Sequence, residues 1–230
     1  MTQTSLIDIN SLINSKNKSS KNWCEHNFLF NKISELLGEK LKELGSNYDK
    51  ILLLSSDAGE SLENTIKVSF TQLIFLSPYR NLLNKKKIQS NKILKVDGLF
   101  ICNFFGERTM YELRDSFLST DEKLFNGAFM RLPINLKMVD ISDLLGQVGF
   151  KELVSETISY KIYYKNIRKM FEDLKGIGEN KILSDRKKGL MTDNYLNSLN
   201  NEYRKKFSDE NGLRLSCDVV SVSCWKNKII

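Results

Sequence analysis

The residue types that could do chemistry gather in one stretch: Asn103-Phe104-Phe105-Gly106, followed by Thr109, Tyr111 and Arg114. Arg114 offers a planar fork that can grip a carboxylate or an acidic partner at two points. Tyr111 stands three residues before it, so on a helix the two share a face. Gly106 lets the backbone leave a strand in a conformation that residues with a Cβ avoid. The plain alternative for Arg114 is a surface ion pair with Glu112 or Asp115. A second group is Ser55, Asp57 and Gly59, in a polar turn after the apolar run Lys50–Leu54; its plain reading is a loop. Glu107 and Asp121 could be general acid or base groups only by position, so no catalytic role is assigned to them.

Much chemistry is excluded. His26 is the only histidine, which removes Ser-His and Cys-His triads and multi-histidine metal sites. Cys24, Cys102, Cys217 and Cys224 form no C-x-x-C pair, so no metal is expected. Four scattered cysteines suit a reducing cytoplasm. No run approaches the ~18 apolar residues of a membrane span, and the first residues lack the apolar core of a secretory signal. The formal net charge is +7 at pH 7, but the lysines are spread along the chain. The dense run Lys85-Lys86-Lys87 reads as a solvated helix face, and nucleic acid is the partner least supported.

These groups need elements to position them. Leu99–Phe104 carries no polar side chain before Asn103, as in a strand buried on both faces of a parallel sheet. Ligands of such sheets bind at the carboxyl ends of the strands, where Asn103–Gly106 falls. Phe28–Leu44 has helical apolar spacing. Lys50–Leu54 and Ser69–Leu76 read as strands, with helices near Glu60–Lys67 and Asn81–Leu94. The alternation implies an α/β fold with a parallel sheet. Beyond Arg114, a helix continues to Leu118, and Ser119–Lys137 reads as irregular. A short helix follows Asp140, with Gly149 placed to cap it. Val154–Tyr164 reads as a strand, Ile167–Lys175 and Asp193–Phe207 as helices, and Cys217–Trp225 as a final strand. Residues 1–22 read as a polar flexible arm and 23–230 as one domain, with a helical lid over about 165–210.

With these pieces in order, the chain resembles a class I S-adenosylmethionine-dependent methyltransferase. Within that family it resembles the group of the biotin-pathway malonyl-carrier-protein methyltransferase and the arginine-hydroxylating assembly factor of mitochondrial complex I. The resemblance rests on Leu94-Lys-Val-Asp-Gly-Leu-Phe, Gly106–Arg114, Asp143-Leu-Leu-Gly-Gln-Val-Gly-Phe, Phe171-Glu-Asp-Leu-Lys-Gly-Ile-Gly-Glu and the tail ending at Trp225. It implies a Rossmann-like methyltransferase sheet with a helical N-terminal segment and a C-terminal helical lid. It also implies S-adenosylmethionine as cofactor, and an acyl-carrier protein or a respiratory-complex subunit as partner. Ser55, Asp57 and Gly59 then fall in the cofactor turn, and Phe104, Phe105, Gly106, Thr109, Tyr111 and Arg114 border the substrate or partner pocket.

The resemblance also exposes departures. The family's cofactor turn has the pattern D-x-G-x-G-x-G. Leu53 stands at its acid, Ser55 and Asp57 at its first two glycines, and only Gly59 remains. The cofactor half is also shorter. Either Leu73–Pro78 is the second strand, followed by a deletion, or Ser69–Leu94 is the fourth strand with its helix, and strands two and three are lost. The second reading keeps Ser69-Phe-Thr-Gln-Leu-Ile in register with the family's S-F-D-L-V-I and puts Thr71 in place of the acid. In either reading the carboxylate for the ribose hydroxyls is missing. Two lost charged hydrogen bonds and a side chain in a glycine-only conformation together cost about 4–9 kcal/mol. That takes a micromolar site to ~millimolar at best. The expectation is a sheet reduced in strand number, in a degenerate methyltransferase with weakened or lost cofactor binding. Losing two strands leaves Ile51–Leu54 as an edge open to covering or to pairing with a second copy.

Overall fold

A computed structural model describes residues 14–15, 17–44, 53–54, 73–75, 94–132, 135–178 and 192–226. Its strands are β1 (Leu53–Leu54), β2 (Leu73–Phe75), β3 (Leu99–Phe105), β4 (Phe150–Tyr164), β5 (Ser208–Asp209) and β6 (Gly212–Lys226). Its helices are α1 (Phe28–Glu43), α2 (Tyr111–Phe125), α3 (Met138–Gln147), α4 (Ile167–Gly176) and α5 (Asp193–Phe207), with a 3-10 helix at Ser20–Glu25. The chain forms two compact units: one of Met1–Asn27, Arg108–Ile134 and Tyr160–Cys217, the other of Phe28–Glu107, Asn135–Ser159 and Asp218–Ile230.

The sheet runs in the order β1-β2-β3-β6-β4. β1 and β2 are parallel, as are β2 and β3, and β6 lies antiparallel to β3. The fold is therefore α/β, with a Rossmann-like parallel half extended by an antiparallel strand. The order bears on the two ways of placing Leu73–Phe75. In the doubly wound order 3-2-1-4-5-6, a second strand lies on the far side of the first from the fourth, fifth and sixth. Here β2 lies between β1 and β3. That is the place of a fourth strand, and it leaves β1 at the outer end of the sheet among the described residues.

In the unit of Phe28–Glu107, the core forms on the β3 face that carries Phe100, Cys102 and Phe104. These pack with Val220, Val222 and Cys224 of β6 and with Ile141 and Leu145 of α3. The opposite set of β3 side chains is Leu99, Ile101, Asn103 and Phe105. Phe105 meets Phe30 of α1 edge to face at 6.2 Å. In the other unit, Leu113, Phe117, Met170, Tyr195, Leu199 and Tyr203 are buried.

Several expected bounds are corrected. Ser119–Phe125 is not irregular but the last part of α2. β4 begins at Phe150 rather than Val154, and β6 at Gly212 rather than Cys217. Gly149, with φ 93°, closes α3 as expected. The expected helix near Glu60–Lys67 and residues 81–93 of the expected helix Asn81–Leu94, and with them Lys85–Lys87, lie outside the described residues.

Candidate functional site

Of the sequence-derived residues, Ser55, Asp57 and Gly59 lie outside the described residues. The other six fall three to each unit. Phe104 and Phe105 are buried, Phe104 inside the core just described. Gly106 donates its N–H to Asp218 O at 2.8 Å. A Cβ at Gly106 would come within 3.0 Å of Val220 Cγ2 and 3.3 Å of Asp218 Cβ, so the glycine permits this close approach of β6. The strand tip is therefore a packed edge whose side chains point into the protein.

Asn103, in the same tip, is the exception to apolar packing. It is 1% exposed, and neither its Oδ1 nor its Nδ2 has a hydrogen-bond partner among the described residues. It stands opposite Phe75 of β2 and Ser221 of β6. Ser221 Oγ accepts from Lys40 Nζ at 2.9 Å, and that ammonium is paired with Glu156. A buried amide without a partner is destabilising by its desolvation, so Asn103 is a polar position that packing does not explain. Sequence reading placed it in the tip but gave it no weight, because nothing in a strand pattern tells whether an amide is paired.

In the unit that holds Thr109, Tyr111 and Arg114, Thr109 is buried and its carbonyl accepts from Arg114 Nη2 at 3.4 Å. Desolvation lowers the Arg114 pKa below the ordinary guanidinium value. The acids beside it are held by other cations. Glu112, fully buried, takes Ser216 N at 3.0 Å and Ser216 Oγ at 2.5 Å, with Arg214 Nε 3.5 Å away. Asp115 accepts from Lys206 at 2.8 Å. Tyr111 OH accepts from Arg214 Nη2 at 3.3 Å, and its ring meets Phe207 edge to face.

The same unit contains a polar cluster that sequence reading missed. Asp121, fully buried on α2, is gripped by Arg131 through Nε at 2.8 Å and Nη2 at 2.6 Å. Tyr195 OH on α5 donates to Asp121 Oδ1 at 2.8 Å. The Arg131 guanidinium carbon lies 4.7 Å from the Tyr195 ring centre, 5.5 Å from Phe117 and 5.9 Å from Phe129. Burial lowers the Arg131 pKa, but hydrogen bonding to Asp121 and the charges of Tyr195 and Asp121 raise it above its ordinary value. Desolvation, then the bond to Asp121, raises Tyr195. Arg131 and Tyr195 thus both hold their protons more firmly than ordinary side chains of their type. A signal did exist: Asp121 and Arg131 flank an aromatic-rich segment, ten residues apart. His26 is oriented by Asp173, Nδ1 to Oδ1 at 2.9 Å. No group of three His, Cys, Asp or Glu side chains able to hold a metal occurs among the described residues. No described helix is long and apolar enough to cross a membrane.

No protein-family model matches the chain. It is 33% identical over 139 residues to the arginine-hydroxylase NDUFAF5, mitochondrial, of Rattus norvegicus, covering 60% of this chain and 40% of that protein. It is 31% identical over 139 residues to the malonyl-(acyl-carrier protein) O-methyltransferase of Gallionella capsiferriformans, covering 60% of this chain and 46% of that protein. The chain thus spans less than half the length of these curated relatives. A candidate methyltransferase of known structure from Bacillus halodurans aligns over 83% of this chain and 99% of its own, with 11% identity and a TM-score of 0.44. A mixed α/β sheet of this order, in a chain related to both of these proteins, defines a methyltransferase-like fold. In sequence the chain is related to a malonyl-carrier-protein methyltransferase and to an arginine-hydroxylase over about 60% of its length.

Proposed function

We propose that this chain is a methyltransferase-family protein with weakened or lost cofactor binding, and that it works by holding a protein partner. One observation carries the reading. The strand order sets β1 beside β2, and the doubly wound order reverses between its first and fourth strands. The cofactor turn of such a sheet follows β1, and here that sequence is Ser55-Ser56-Asp57-Ala58-Gly59. Ser55 and Asp57 carry side chains where glycines let a ligand approach, and Asp57 adds negative charge beside a cofactor carboxylate. Leu53 and Thr71 supply no acid. This donor set does not fit S-adenosylmethionine, so no chemical step is derived through it.

The relatives' names support a partner that is an acyl-carrier protein or a protein presenting arginine, and the family resemblance adds a respiratory-complex subunit. Four cysteines outside any disulfide among the described residues suit a cytoplasmic setting, and pairing of a second copy along β1 belongs to the same reading. Isothermal titration of the full chain with S-adenosylmethionine tests the proposal. No saturation below about millimolar is expected from the magnitudes above, and low-micromolar affinity would overturn it.

A second reading has its own support in the 31% identity to a malonyl-carrier-protein methyltransferase. In it the chain is an active transferase acting on a carrier-linked carboxyl or a protein substrate. The same titration separates the two.

A further inference from the structure

Arg131 is held as a receptor holds an arginine. One edge of its guanidinium, Nε and Nη2, is bound at two points to one carboxylate, Asp121, and its plane is walled by the rings of Tyr195, Phe117 and Phe129. Carboxylate geometry, charge and aromatic faces are the features that select guanidinium over ammonium.

Three observations set this cluster apart from an ordinary internal ion pair. The receptor groups Asp121, Phe117 and Tyr195 stand on helices α2 and α5, whereas the occupant comes from the irregular segment that leaves α2 at Asn126, where φ is 51°. The carboxylate is fully buried while the Arg131 side chain keeps 13% exposure, so the acid forms the floor and the guanidinium the mouth. The aromatic wall also continues outward: Phe125, 45% exposed, stacks on Tyr195 at 5.9 Å, and Met130 is 47% exposed. A desolvated charged floor within an apolar rim is how a partner's arginine becomes an anchor of an interface.

We propose that the Asp121 cage is a binding site for an arginine side chain of a partner polypeptide, which Arg131 occupies in the free chain. This deepens the protein-partner reading given above and names what that partner must present. Arg131 is then an internal competitor, present at an effective concentration on the order of millimolar. An isolated arginine binds poorly against it, and a partner must add contacts at the rim to displace it.

The test uses the full chain and the probe N-acetyl-L-arginine methylamide in isothermal titration, with the lysine analogue as control. Arg131→Ala is expected to bind the arginine probe at least ~10-fold more tightly than the natural chain. The lysine analogue should show no such gain, and adding Asp121→Asn should abolish it. Equal binding by Arg131→Ala and the natural chain, or equal binding of the two probes, overturns the site and leaves Arg131 as a latch. If Arg131→Ala does not fold alone, thermal unfolding with the probe decides: the probe restores a cooperative transition if the cage is a receptor, and does not if it is a latch. No cofactor enters these measurements, so they fail or succeed independently of the S-adenosylmethionine titration.

Discussion

Asp121 Oδ1 accepts two hydrogen bonds at once, from Arg131 Nη2 at 2.6 Å and from Tyr195 OH at 2.8 Å. The acid on α2 thereby fixes a helix and a loop together. Removing its charge leaves a half-buried guanidinium without a counter-ion. Asp121→Asn is expected to destabilise the chain by ~3 kcal/mol, the low end for a buried pair because Arg131 can reach water. Urea unfolding checks this, and an unchanged midpoint would count against the clasp.

Alkaline pH should weaken the same region. Desolvation raises the Tyr195 and Tyr203 hydroxyls, with the Asp121 hydrogen bond next for Tyr195 and the Glu112 charge next for Tyr203. The folded state therefore keeps these protons to a higher pH than the unfolded chain does. Their contribution is complete below the ordinary phenol value of about 10 and is lost as pH rises above it. Urea midpoints should be steady toward pH 10 and fall beyond it. Tyr195→Phe should be less stable at pH 8 and show a shallower alkaline fall. An equally steep fall would exclude Tyr195 as a contributor.

His26 packs against Gly176 so closely that a Cβ there would lie 2.1 Å from His26 Cδ2. Gly176→Ala must displace the ring from Asp173, which should destabilise by about 1–3 kcal/mol. His26→Ala removes the obstacle, so the double variant should lose less than the sum of the single variants. Strict additivity in a denaturant series would rule the contact out.

Asn103 predicts the opposite sign. Its amide makes no hydrogen bond among the described residues, so replacing it breaks none. Asn103→Leu should leave stability unchanged or raise it by ~1 kcal/mol, because an unpaired buried polar group is removed. A loss larger than about 1 kcal/mol in urea unfolding would mean that Asn103 has a partner in solution.

Some of this was open to reading. Tyr195, Leu199 and Tyr203 follow helical spacing, and all three are buried on α5, which spans the expected Asp193–Phe207. The run Leu99–Cys102 was apolar enough to show a strand covered on both faces. The missed half of α2 has a physical cause. Ser119, Thr120 and Asp121 look like helix breakers, yet Ser119 Oγ and Thr120 Oγ1 return their hydrogens to the carbonyls of Asp115 and Ser116. The buried charges could not be read at all. Glu112 is satisfied by Ser216, 104 residues away, and no local pattern marks a helix carboxylate whose partners arrive from a distant strand. The early start of β6 was legible in hindsight: Leu213, Leu215 and Cys217 alternate as buried side chains with Arg214 and Ser216 between them.

In the function proposed above, the sequence that follows β1 does not fit S-adenosylmethionine. Isothermal titration of the intact chain with S-adenosylmethionine measures it directly. No saturable binding is expected below about millimolar concentration. Saturation at low micromolar concentration, with one cofactor per chain, would contradict it.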